Sequence, residues 1–71
     1  MKGDPDAAIA DYDQAIALNP QVAMAYYHRG VAHARIGEQG KAIADLERAL
    51  ALGLSPYYKA QAQAKLRELG H

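Results

Sequence analysis

The stretch Ala8-Ile9-Ala10-Asp11-Tyr12-Asp13-Gln14-Ala15-Ile16-Ala17-Leu18 returns 34 positions later as Ala42-Ile43-Ala44-Asp45-Leu46-Glu47-Arg48-Ala49-Leu50-Ala51-Leu52. Ala8, Ile9, Ala10, Asp11, Ala15, Ala17 and Leu18 meet identical residues, while Asp13 against Glu47 and Ile16 against Leu50 are conservative pairs. Gly3 meets Gly37 in the same register, and no gap is needed. A period of this length marks a repeat architecture, in which each unit buries its apolar face on its neighbours.

Both copies carry the spacing of an amphipathic helix. Ala8, Ile9, Tyr12, Ala15 and Ile16 fall on one face of the first, and Ala42, Ile43, Leu46, Ala49 and Leu50 on the same face of the second. Asp4 is placed as an N-cap, Pro5 suits the first helical position, and Asp6 complements the helix dipole. Asn19-Pro20 stops that helix, and Gly53 is expected as the C′ residue of the other.

Between them the spacing predicts a helix from about Gln21 to Ile36, closed by Gly37. It carries two stripes. Tyr26, Gly30 and His33 form one; Met24, Tyr27, Val31 and Ala34 form the other, with Arg35 beside it. A helix apolar on two faces has two partners. A fourth helix starts at Ser55-Pro56, an N-cap followed by proline, and stops at Gly70, with Tyr58, Ala62, Leu66 and Leu69 on one of its faces and Lys59, Gln63 and Arg67 away from it. The loops are short, so successive helices should be antiparallel neighbours.

Composition agrees with a small ordered domain. The chain has 71 residues, is 51% hydrophobic and has zero formal net charge, which argues against disorder. A domain of this size buries roughly 60% of its unfolded surface, so its stability is marginal. The absence of cysteine excludes a disulfide or cysteine–zinc scaffold. No apolar run approaches the roughly 18 residues of a membrane span, and the first residues lack the apolar core of a secretory signal. A cytoplasmic location is therefore favoured. A pI near 6.8 predicts neither nucleic-acid nor membrane binding. The charge is nonetheless uneven: Asp4, Asp6, Asp11 and Asp13 outnumber Lys2 up to Pro20, whereas Lys59, Lys65 and Arg67 outnumber Glu68 after Pro56.

Helices at this period resemble the tetratricopeptide repeat, whose pattern is W-x2-L-G-x2-Y, then A-x3-F, then P. The corresponding residues are Tyr26-x2-Arg29-Gly30-x2-His33, then Ala42-x3-Leu46 with Ala49, and in the earlier copy Ala8-x3-Tyr12, Ala15 and Pro20. The likeness is strong over the first three helices and weak over the fourth. It implies an all-α array of antiparallel helix-turn-helix units, an α-solenoid of four helices. Gly30 and Ala42 are then small because two helices cross closely there, and Tyr12, Leu46 and Tyr26 fill the space between hairpins.

Three departures stand out. Arg29 replaces a packing Leu and His33 an aromatic residue, which implies either loose packing or an Arg stem snorkelling across the neighbouring hairpin. Leu54 stands where proline is expected, and Pro56 comes two residues late, so the fourth helix is expected to slip register. In this frame residues 1–71 form a single domain. Residues 4–19 are the second helix of an incomplete repeat, 21–54 one full repeat, and 55–70 a capping helix. About three repeats are normally needed for independent stability. The chain is therefore expected either to be a piece of a longer protein or to borrow cover from a second copy, with Ala8 and Tyr12 as the self-association residues.

No catalytic, cofactor or metal site is expected. His28 and His33 lie roughly 140° apart around a helix and cannot share a metal on one face. His71 is terminal. Asp11 and Asp13 point in different directions, Gly37-Glu38-Gln39-Gly40 reads as a helix–helix turn, and Ser55 reads as a cap rather than a nucleophile. What remains is recognition of a protein or peptide. The resemblance places the first helix of each unit on the concave side, which makes Met24, Tyr27, Val31, Ala34 and Arg35 the partner-binding stripe. The Lys and Asn of the family's carboxylate clamp are replaced here by Tyr27 and Val31, so a peptide or helix with apolar anchors is expected. The alternative is a structural self-assembly unit, domain-swapped or stacked head to tail through its oppositely charged ends.

Overall fold

A computed structural model of the chain describes residues 4–70, so Gly3 and His71 lie outside the described residues. Four helices follow one another: α1 (Pro5–Leu18), α2 (Ala23–Arg35), α3 (Gln39–Leu52) and α4 (Pro56–Glu68). Among the described residues all regular structure is helical.

The ends of the helices follow local chemistry. The Asp4 carboxylate accepts hydrogen bonds from the Asp6 and Ala7 amides at 3.0 and 3.4 Å, which satisfies two of the first orphan donors of α1. Asn19 ends that helix in extended backbone, and its side-chain oxygen accepts from the Gln21 amide. At the end of α2 the chain turns through Gly37, at φ +85°. There the Glu38 amide reaches the His33 carbonyl at 2.9 Å and the Gly37 amide that of Ala34 at 3.2 Å, the paired bonds of a Schellman motif. Gly53, at φ +108°, is the C-cap of α3 itself, one residue earlier than the expected C′ place. Ser55 occupies the N-cap position of α4, but its side chain makes no capping hydrogen bond.

The most extensive packing is between α2 and α3, followed by α1 on α2 and α4 on α3. Ala42, Leu46 and Ala49 of α3 are wholly buried. Leu46 joins Ala62 and Leu66 of α4 in the core, with Tyr27, Ile43, Leu50, Leu54 and Leu69 packed around them. As expected, Gly30 marks a close crossing. A Cβ there would stand 3.0 Å from Leu46 Cγ and 3.2 Å from the Ala42 carbonyl oxygen. Ala25 and Ala32, which belong to neither stripe read from the sequence, are also buried on α2. Small residues let a short chain bring helices together, and the core volume rests mainly on leucines.

The expected register slip of α4 does not occur. It begins at Pro56, one residue before the point 34 positions after Ala23. Proline is compatible with the first turn of a helix, where its missing amide is not needed, so its late arrival delays nothing. Tyr58, Ala62, Leu66 and Leu69 face the core, while Lys59, Gln63 and Arg67 are exposed.

Candidate interaction surface

Two shallow grooves flank α2, and they differ in chemistry. The first lies between α1 and α2. Ala8, Asp11 and Tyr12 contribute one wall, and His28, Val31 and Arg35 the other. Its floor is apolar and aromatic, with a carboxylate on one rim and a guanidinium on the other.

A file of rings starts in this groove and crosses to α4. Tyr12 stacks on His28 with centroids 5.6 Å apart. His28 meets Tyr27 edge-on at 5.1 Å, Tyr27 meets Tyr58 at 5.3 Å, and Tyr58 meets Tyr57 at 5.0 Å. Offset and edge-on pairs of this kind favour the ring quadrupoles and tie helices to one another. Partial burial raises the Tyr27 phenol above its ordinary pKa, and Tyr57 and Tyr58 add to the shift.

Of the partner-binding stripe, Val31 and Arg35 line the groove, whereas Tyr27 is engaged by His28 and Tyr58. Met24 and Ala34 are half-buried on the same helix. The expected self-association residues, Ala8 and Tyr12, form the opposite wall. Two sets drawn for different reasons thus border one groove. His28 was missed, although it shares the spacing of Met24, Val31 and Arg35 and so falls on their face.

The second groove, bordered by Asp13, Arg29, His33, Lys41 and Asp45, is charged. Arg29 neither snorkels nor marks loose packing. Its Nε and Nη2 each donate to one oxygen of Asp45 at 2.8 Å, and its Nη1 donates to Asp13 at 2.8 Å. One side chain of α2 thereby holds carboxylates of α1 and α3. The hydrogen bond to Asp45 lifts the Arg29 pKa above its ordinary value, with Asp13 adding to it and partial burial opposing. His33 lies on the same buried face, its Nε2 3.6 Å from Asp45 and its Nδ1 buried with no hydrogen-bond partner among the described residues. The half-buried Tyr26 ring lies under the guanidinium groups of Arg29 and Arg48, at 5.5 and 5.8 Å.

Among the described residues there is no cluster of His, Asp and Glu that could hold a metal, and no helix long and apolar enough to cross a membrane.

Comparison with known proteins supplies the family. The NADPH oxidase activator 1 of Rattus norvegicus is 37% identical over 51 residues, which is 72% of this chain and 11% of that protein. The chain thus spans about a tenth of the length of that curated relative. No solved structure matches. The Tetratricopeptide repeat family matches residues 2–59, from before α1 to the first turn of α4, so by its helices and by its sequence the chain belongs to the tetratricopeptide repeat family.

Proposed function

We propose that this chain is a non-catalytic protein-interaction module that takes a peptide or helix in the groove between α1 and α2. The family supports the general reading, since its repeats typically serve as scaffolds for protein–protein contact. One observation supports the finer one: the apolar wall of Ala8 and Tyr12 faces the Val31–Arg35 edge across open space, between rims of opposite charge. A ligand with apolar anchors would bury against Tyr12 and Val31, while Asp11 and Arg35 would select its flanking charges and orientation.

Selection of peptides from a displayed library tests this. The expected winners carry regularly spaced apolar anchors, bind the chain, and lose affinity on Val31→Asp and on Arg35→Glu but not on Lys59→Ala. Peptides indifferent to both groove substitutions would refute it.

A second reading, self-assembly, has its own support. The face of α1 that repeats the sealed face of α3 stays half-open: Ala8, Tyr12 and Ala15 are partly exposed where Ala42, Leu46 and Ala49 are fully buried.

A further inference from the structure

The repeat supplies a direct comparison of two equivalent faces. On α3, Ala42, Asp45, Leu46 and Ala49 are buried, with Gly30 and Arg29 of α2 against Leu46, Ala42 and Asp45, and α4 closing on Leu46 from the other side. Their counterparts on α1 are Ala8, Asp11, Tyr12 and Ala15, of which Asp11 is exposed and the others half-buried. Among the described residues no helix lies over them as α2 lies over α3.

The same shift of 34 applied to α2 leads to α4. Tyr26, Arg29, Gly30 and His33, the residues that α2 turns toward α3, correspond to Ala60, Gln63, Ala64 and Arg67. Ala60, Gln63 and Arg67 are exposed and Ala64 is half-buried. At one end the chain thus carries a helix shaped to be covered, and at the other a helix with a free covering face.

We propose that α4 of one copy seats on α1 of a second copy, so that the two complete a repeat across the interface. The claim rests on reading the inner wall of α1 as an interaction surface, and it names a second copy of this chain as the partner.

Charge supports the pairing. In the pair within one chain, Asp45 is held by Arg29 with His33 one turn further on. In the pair between chains, Asp11 faces Gln63 in the place of Arg29 and Arg67 in the place of His33. The cation is displaced by one helical turn, within reach of a guanidinium. Among the described residues neither Asp11 nor Arg67 has an ion-pair partner.

The seam is spaced differently from the one within the chain. Ala64 in the place of Gly30 adds one methyl where a Cβ would meet Leu46 at 3.0 Å, so the new pair must sit a few tenths of an ångström wider. The contact joins different surfaces and is open-ended, so association continues past a dimer.

Sedimentation velocity on the intact chain, across concentration and salt, tests the proposal. The expected result is a mass that rises with concentration and falls with added salt. Asp11→Arg alone and Arg67→Asp alone should each weaken association by roughly tenfold or more. An equimolar mixture of the two variants should associate again, because each then meets its opposite charge. Gln63→Glu, on an exposed position, should weaken association with helicity intact, which covers the case in which a charge reversal unfolds α1.

A monomer at all concentrations, or association indifferent to Asp11→Arg, Arg67→Asp and Gln63→Glu, would overturn the proposal. Library peptides that still bind through Val31 and Arg35 to such a monomer would sustain the groove reading while removing the second copy as its occupant. Loss of groove-dependent peptide binding with charge-dependent self-association intact would show the reverse.

Discussion

Arg29 grips both carboxylate oxygens of Asp45 at 2.8 Å, in a two-pronged contact between α2 and α3. Asp45 is buried, with the fork covering most of its charge. Such a pair is costly to break from one side, because the remaining charge has nowhere to go. Arg29→Ala should therefore destabilise the fold by about 3 kcal/mol, enough to unfold much of so small a domain at room temperature. Arg29→Lys should recover only part, since an ammonium cannot reproduce the fork. Asp13→Ala, which removes only the exposed arm, should cost about 0–1 kcal/mol. Urea unfolding followed by circular dichroism ranks the three. An Asp13→Ala loss equal to that of Arg29→Ala would contradict the account.

Gly30 and Gly40 should respond oppositely to alanine. At Gly30 the new methyl meets buried Leu46 and the Ala42 backbone at 3.0–3.2 Å, and overpacking of this kind costs about 1–3 kcal/mol, more than the gain in helix propensity. At Gly40, inside α3, nothing lies within 4 Å. Gly40→Ala should stabilise by about 0.5–1 kcal/mol. Thermal melts of the two variants on either side of the parent are the expected result.

Leu46 and Tyr12 hold the same repeat position in different surroundings. Leu46→Ala should cost about 2–5 kcal/mol, because it empties a fully enclosed site. Tyr12→Ala, on a half-open face, should cost clearly less in dilute solution. Equal losses in a denaturant series would mean that the two faces are equally covered.

The Tyr27 phenol should ionise above the ordinary tyrosine range. Burial raises its folded pKa above the ordinary value of about 10, so the stability it contributes is present below that value and is lost as the pH rises through the folded one. Ultraviolet titration should show a late phenolate step that Tyr27→Phe removes, with helicity falling at the same alkaline pH in the parent chain. A titration unchanged by Tyr27→Phe would argue that the ring is not enclosed.

Much of the fold could be read in one dimension. The 34-residue echo of Ala8–Leu18 in Ala42–Leu52 placed two equivalent helices, and capping chemistry at Asp4, Asn19 and Gly37 located their ends and those of α2 to within two residues. The Arg29–Asp45 fork was not anticipated, although the signal existed. Arg29 shares its face with Gly30 and His33, and Asp45 stands between Ala42, Leu46 and Ala49, so each charge lay on a face destined for burial and needed the other.

What the sequence determined by itself was local and periodic: four helices, their order, their apolar sides and the family to which they belong. Helical spacing and backbone capping depend on residues a few positions apart, and these are written directly in the chain. Only the tertiary structure decided that Arg29 joins Asp13 to Asp45, that Tyr12 stacks on His28, and that identical faces of α1 and α3 meet different fates. Those outcomes depend on how helices cross in space, where a shift of a few ångströms turns a packing residue into an ion-pair partner and an apolar stripe into an open groove.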